Sequence, residues 1–273
     1  MAATNNSHRI VCLVPARAGS KRVPGKNIRR LVDHPLMAYT LSAASESGIF
    51  TDIVVSTDSI EYAAVARYYG AEVPFLRPAD LAGDLSPDFE WVNYTLRRLR
   101  ELGRRYDAFS LLRVTSPFRQ AETIDRAWRL FLETPGADSL RAVEKCKQHP
   151  GKMWVRHGQY MAPLLPFRTP QQPWHSSPYQ ALPEVYAQNA SLEIAWTRVV
   201  LEGGGIAGDA VIPFVSMGYE GFELNNSLDW AVAETLLSQG DARLPPVSQA
   251  PYSTPEDRRA DTVRGKTNEH ADA

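Results

Sequence analysis

Five consecutive apolar residues, Ile10-Val-Cys-Leu-Val14, run straight into Pro15-Ala-Arg-Ala-Gly-Ser-Lys-Arg-Val-Pro-Gly-Lys-Asn27. The unbroken apolar run predicts a central parallel strand buried on both faces. The loop that leaves it carries Arg17, Lys21, Arg22 and Lys26, four cations within ten residues. Ala18, Gly19 and Gly25 let its backbone approach a ligand closely, and Pro24 stiffens it. Open α/β sheets bind ligands beyond the carboxyl ends of their strands, and cationic loops of small residues there suit phosphate. A lone cluster of lysines and arginines is more often a solvated surface. Its place directly after a buried strand favours phosphate, and the ligand expected is a nucleoside triphosphate.

Two familiar phosphate loops are excluded. A P-loop needs Gly-x4-Gly-Lys-[Ser/Thr]. Here Gly19 and Gly25 enclose five residues, and Asn27 stands in place of the metal-binding hydroxyl. The three glycines of a dinucleotide fingerprint are absent as well.

Strand-like and helix-like stretches alternate along the chain. Strands are expected at 10–14, 52–57, 73–76, 108–114, 139–143, 192–196 and 210–215. Helices are expected at 36–47, 60–69, 89–102, 121–133, 197–201 and 228–237. Pro35 suits the first turn of its helix, Ser59 can cap the next, and Gly70 ends it. Asp88 can cap the helix that starts at Phe89. This alternation predicts an α/β fold with a mostly parallel, doubly wound sheet.

Residues 145–187 break the rhythm with seven prolines and six aromatic residues. Proline discourages helix, and so many aromatics need a surface to bury against. The segment is read as an excursion that covers the site or forms a subunit interface. Residues 1–8 and 239–273 are polar and are expected to be disordered tails flanking one domain at 9–238.

Composition narrows the function classes. A chain of 273 residues with 44% hydrophobic content can bury a substantial core. The net charge of −1 gives no global basic field for nucleic acid. No stretch approaches the length of a membrane span. Two cysteines, Cys12 and Cys146, argue against a disulfide framework and suit a reducing compartment. The N-terminus lacks a signal peptide's apolar centre. A cytoplasmic location is expected, without nucleic acid or membrane as partner.

The segment Val14–Asn27 resembles the signature of the sialic-acid-type cytidylyltransferases, the CMP-N-acetylneuraminate synthetase family. Further segments agree in order: Val54-Val-Ser-Thr-Asp58, Leu76-Arg-Pro-Ala-Asp-Leu-Ala-Gly-Asp84, Leu111-Leu-Arg-Val-Thr-Ser-Pro-Phe-Arg119 and the stretch 221–229. The resemblance spans roughly residues 9 to 238. It implies a nucleotide-diphospho-sugar transferase-like sheet, a homodimer built through the excursion, and magnesium as cofactor. It also implies a reaction, in which a sugar-acid hydroxyl attacks the α-phosphate of CTP and pyrophosphate leaves.

The site residues follow from the loop chemistry and the resemblance together. Arg17 and Lys21 are assigned to catalysis as charge-stabilising groups. Ala16, Gly19, Ser20, Lys26 and Asn27 join them around the nucleotide, with Lys21 and Lys26 as point charges for the outer phosphates. Arg77, Asp84, Ser86 and Asp88 are expected around the base. Capping and base contact both stay open for Asp88. Ser56-Thr57-Asp58 is expected to build a turn rather than perform chemistry, and His149 to be structural. The acceptor residues expected are Arg113, Thr115, Ser116, Lys152 and Asn189.

The chain also departs from the family pattern. Arg113 and Val114 replace Gln-Pro, Glu193 replaces a tyrosine, and Tyr179 and Ala187 replace arginines. Glu223-Leu-Asn225 stands for Asp-Ile-Asp, leaving Glu223 and Asn225 as the expected metal ligands with one negative charge fewer. The added charge of Arg113 suggests a more anionic acceptor, a nonulosonic-like or other acidic or amino sugar. Two other functions remain open: an NDP-sugar pyrophosphorylase using another NTP such as GTP with a sugar-1-phosphate, and a catalytically impaired nucleotide-binding module.

Overall fold

The structure, a computed structural model, describes residues 8–253. In chain order its elements begin with β1 (Ile10–Pro15), a minimal hairpin β2 (Arg30–Leu31) and β3 (His34–Pro35), α1 (Leu36–Ser47), β4 (Asp52–Ser56) and α2 (Ile60–Tyr68). There follow α3 (Asp88–Glu101), β5 (Ala108–Leu112), α4 (Ala121–Leu132), β6 (Ser139–Lys145), and a second hairpin, β7 (Trp154–His157) with β8 (Tyr160–Pro163). The chain then forms β9 (Tyr186–Trp196), α5 (Thr197–Leu201), β10 (Val211–Val215) and α6 (Ser227–Gln239). The central sheet has the order β10-β6-β9-β5-β1-β4. β9 runs antiparallel to both of its neighbours, and the other pairings are parallel.

Strand β1 shows why the sheet is covered twice. Ile10, Cys12 and Val14 face a core built with α1, α2, α4 and α6, whereas Val11 and Leu13 face a second one built with α3 and α5. Successive side chains of a strand point to opposite faces, so a continuous apolar run fits only a two-sided burial. The loop after β1 is thereby fixed at the carboxyl edge of the sheet.

The helix expectations hold to within two residues at each end. Ser59 caps α2 by accepting from the Tyr62 N–H at 3.2 Å. Three expectations need correction. Residues 73–76 do not form a strand; only Glu72 bridges to Val54, because Pro74 has no N–H to continue the ladder. Asp88 does not cap α3. It is the first residue of that helix, follows Pro87, and turns its carboxylate to other partners described below.

The third correction concerns residues 239–253. Gln239 ends α6, and the chain then lies back along the first core, with Ala242, Leu244, Val247 and Tyr252 packed against it. Tyr68 donates its hydroxyl to the Ala250 carbonyl at 3.0 Å, and the Tyr252 N–H donates to the Tyr69 hydroxyl at 2.9 Å. The expected disorder at 254–273 and at 1–7 falls outside the described residues.

The excursion leaves and rejoins the sheet at one point. Lys145 of β6 pairs with Tyr186 of β9, and the Cys146 N–H donates to the Val185 carbonyl at 3.0 Å. Within it His149 is structural, as expected. Its Nδ1 accepts from the Gly151 N–H, its Nε2 lies 3.0 Å from the Pro183 carbonyl, and Trp174 and Tyr179 pack edge-on against the ring.

Candidate active site

A cleft of about 230 Å³ opens at the carboxyl ends of β1, β4 and β5. One end is cationic. Arg17 lies beyond β1 and donates to Asp84 at 2.6 Å, and the exposed Lys21 pairs with the other oxygen of the same carboxylate. These two hydrogen bonds hold the Asp84 carboxyl below the usual carboxylate range. Lys26 is half-buried and donates to the Leu224 carbonyl at 2.7 Å. Burial pulls its ammonium below the ordinary lysine range, and the neighbouring Arg22 pushes the same way.

Local sequence explains how this loop is shaped. Gly25 has φ +65°, the left-handed region that favours glycine, and opens the short turn at Lys26–Ile28. Asn27 is buried and donates its amide to the Arg17 carbonyl at 3.0 Å, tying the two ends of the loop together. The Ala18 N–H donates to Asp58 at 2.8 Å. The Ser-Thr-Asp segment therefore builds the turn, as expected.

The other end of the cleft is built on Arg77, Ser86, Asp88 and Trp91. Arg77 is buried, donates to the Ser56 hydroxyl and carbonyl at 3.0 Å, and stacks its guanidinium 4.5 Å over the Trp91 ring. Burial brings its pKa down to about 10. Asp88 accepts from the Trp91 indole at 2.7 Å and from Arg113 at 2.6 Å. Burial pushes the Asp88 carboxyl up, but the Arg113 hydrogen bond and charge outweigh it, and the net direction is down.

Of the expected residues, the cleft gathers Arg17, Ser20, Lys26, Asn27, Arg77 and Asp84. Ser86, Asp88, Arg113 and Thr115 line it too. Lys21 and Asn225 line an adjoining depression that shares Arg17, Ser20, Lys26 and Asp84 with the cleft. Ala16 is buried beneath, donating its N–H to the Ser56 carbonyl, and Gly19 is not part of either lining. Ser116 is buried and is not part of the cleft lining.

Lys152 is not brought to the cleft. It turns into the excursion, donating to the His175 and Ser177 carbonyls. Asn189 is buried and donates to the Ser216 hydroxyl at 2.9 Å. A Cβ at Gly221 would meet its amide nitrogen at 2.5 Å, so that close approach requires glycine.

Glu223 accepts from the Ala190 N–H at 2.5 Å and from the Asn225 amide at 3.0 Å. Among the described residues no cluster of three His, Cys, Asp or Glu side chains could hold a metal by itself. The donor set fits a hard divalent ion only if phosphate oxygens and water complete the coordination, the ordinary arrangement for magnesium.

Two groups escaped the sequence reading. Trp91 carries the wall under Arg77, and its signal was only an aromatic on the buried stripe of α3. Arg119, the last residue of the Thr-Ser-Pro-Phe-Arg segment, is fully buried and donates to the Arg113 and Ser191 carbonyls and, at 3.1 Å, to the Thr40 hydroxyl. It holds the loop after β5 against β9 and α1.

A family model described as cytidylyltransferase matches residues 11–134. A CMP-N,N'-diacetyllegionaminic acid synthase of Legionella pneumophila is 36% identical over 234 residues, covering 84% of this chain and 96% of that protein. The chain belongs to the sialic-acid-type cytidylyltransferases. This cytidylyltransferase is also 35% identical to a pseudaminic acid cytidylyltransferase of Campylobacter jejuni over 134 residues, 49% of this chain and 58% of the other. An N-acylneuraminate cytidylyltransferase of Escherichia coli is 42% identical over 123 residues, 45% of this chain and 28% of that one.

Among solved structures, a CMP:2-keto-3-deoxy-manno-octonic acid synthetase complexed with CTP superposes with a TM-score of 0.60 at 12% identity, covering 85% of this chain and 99% of its own. A 4-diphosphocytidyl-2C-methyl-D-erythritol synthase of Anaerococcus prevotii gives a TM-score of 0.55 at 13% identity, covering 85% and 99%. Both share the fold. As a member of its family this cytidylyltransferase is a nucleotidyltransferase.

Proposed function

We propose that this cytidylyltransferase couples CTP to an acidic sugar of the nonulosonic type, forming a CMP-sugar and pyrophosphate. A sugar hydroxyl oxygen bonds to the α-phosphorus, the bond from that phosphorus to the bridging oxygen breaks and releases pyrophosphate, and the hydroxyl proton passes to solvent. The observation that carries the reading is the cationic end of the cleft, where Arg17 and Lys21 pair with one carboxylate and Lys26 lines the same depression. Asp84 there occupies two cations that a polyphosphate would claim. Negative charge growing on the leaving pyrophosphate would be stabilised by the same groups. Glu223 and Asn225 are the residues that would help hold magnesium, which would neutralise phosphate charge when bound.

The test is pyrophosphate release from each NTP with magnesium and a panel of acidic sugars. CTP with a nonulosonic acid is expected to release it fastest. Preference for GTP with a sugar-1-phosphate, or no release with any pair, rejects the reading.

Lys26 adds a pH prediction. Its lowered pKa means that the free protein loses this charge at a lower pH than an ordinary lysine would. A bound polyphosphate favours the charged form, so binding above that pKa requires proton uptake. CTP affinity in calorimetry is therefore expected to fall as pH rises through the lowered value, and Lys26→Met to remove that limb.

A homodimer and a cytoplasmic location complete the proposal. Trp154, Val155, Tyr160, Met161 and Phe167 leave apolar surface exposed on the excursion, Tyr160 at 81%. Exposed apolar side chains on both faces of this hairpin suit burial against a second copy of the chain. Light scattering should then give twice the chain mass, and Tyr160→Asp with Met161→Asp should give the monomer. Cys12 and Cys146 are free thiols, and among the described residues no helix is long and apolar enough to cross a membrane.

A further inference from the structure

Arg113 and Glu193, two positions at which the sequence departs from the family pattern, touch each other. Arg113 follows β5 and Glu193 lies on the adjacent strand β9. Arg113 Nη2 donates to Glu193 Oε1 at 2.9 Å and to Asp88 Oδ2 at 2.6 Å. Arg141 on β6, in register with Glu193, forms an ion pair with its other oxygen. The side chains of Glu193 and Arg141 are 5% and 11% exposed. Charges taken out of water are costly unless paired, and these four are balanced, two guanidiniums against two carboxylates.

That balance changes what Arg113 offers the cleft. It carries no spare charge with which to attract an anionic acceptor, contrary to the expectation drawn from its charge alone. It has instead a grip on Asp88, whose other oxygen is held by the Trp91 indole at 2.7 Å. The carboxylate is thereby fixed in the cleft wall with Arg77 and Trp91, in the part that the adjoining depression of Arg17, Lys21 and Lys26 does not share. Of the two carboxylates that line the cleft, Asp84 pairs with Arg17 and Lys21, which leaves Asp88 to meet the base of a nucleotide whose phosphates lie on those cations. An ionised carboxylate only accepts hydrogen bonds. It pairs with an exocyclic amino group and repels a carbonyl oxygen presented at the same place.

We propose that Arg113 is a positioning residue for nucleobase selection: it holds Asp88 so that the amino group of cytosine is accepted and the carbonyl of uracil refused. Arg113 itself touches no acceptor sugar. The inference rests on the nucleotide reading given above and is separable from it by experiment.

The test is equilibrium binding of CTP and of UTP to the full chain with magnesium and no acceptor. The native chain should prefer CTP. Arg113→Gln should cut that preference about tenfold, chiefly by weakening CTP. Arg113→Lys, which can still pair with Asp88, should recover most of it. Asp88→Asn, whose amide can donate to a carbonyl oxygen, should also lose it. The double variant Arg113→Gln with Glu193→Gln removes the carboxylate left short of a partner and should show the ratio of the single variant, which guards against a folding artefact. An unchanged CTP-to-UTP ratio in Arg113→Gln, or an equal loss for both nucleotides, overturns the inference. A native chain that binds CTP and UTP equally overturns it too, and one that binds neither sinks the nucleotide reading with it.

Discussion

Arg17→Ala is expected to lower turnover by about 10²–10³, the usual cost of removing one charge-stabilising donor from a phosphoryl or acyl transfer site. The side chain is one-third exposed and sits beyond β1 with a single ion-pair partner, Asp84. Its loss should therefore leave the melting temperature nearly unchanged while pyrophosphate release collapses. Lys substitutes poorly, because a point charge cannot reproduce a planar fork against phosphate oxygens. Arg17→Lys is expected to fall between the native chain and the alanine variant. A turnover within threefold of native in Arg17→Ala would remove this residue from the chemistry.

Glu193→Ala is expected to act on stability instead. It strands Arg141, whose remaining partner is the Ile206 carbonyl at 3.2 Å, in a site only 11% exposed. Breaking a buried ion pair by deleting one partner typically costs about 3–5 kcal/mol. For a domain of this size that corresponds to a fall in Tm of roughly 6–20 °C. Arg113 keeps Asp88 and stays near the surface, so its loss of Glu193 adds less. Glu193→Gln keeps an acceptor and should cost clearly less than alanine. Thermal unfolding of the two variants side by side checks the order.

How much of this was readable in the sequence depends on whether a feature is local. The β1 run, the Leu36 start of α1 and the Ser59 cap each act over a few residues, and each appeared where the sequence placed it; Pro35 stands just before the first turn of α1, as its N-cap. The 73–76 strand failed on one atom, the missing N–H of Pro74, which outweighed an apolar pattern that is buried at Val73. Leu244, Val247 and Tyr252 follow no period and are separated by prolines. Their docking depends on a surface presented by the first core, which no window of sequence contains.

The site divides in the same way. The cationic end is mostly one contiguous loop and was assembled from its composition. The Asp88 wall is tertiary: Arg113 lies 25 residues from Asp88 and 80 from Glu193. Read singly, Arg113 looks like an added positive charge and Glu193 like a lost aromatic ring. Only the register that sets β5 beside β9 makes them one exchange. Lys152 shows the reverse hazard, since its likeness to a family position said nothing of the carbonyls that hold it inside the excursion.

The joined exit and return of residues 146–185 make the protein modular in a way that bears on its ancestry and its engineering. Lys145 and Tyr186 are already cross-strand neighbours, so a tight reverse turn could splice them without disturbing either core. Insertions can be traded at that seam while the central sheet folds as before. The excursion and the cleft are thus free to diversify independently in descendants of this chain.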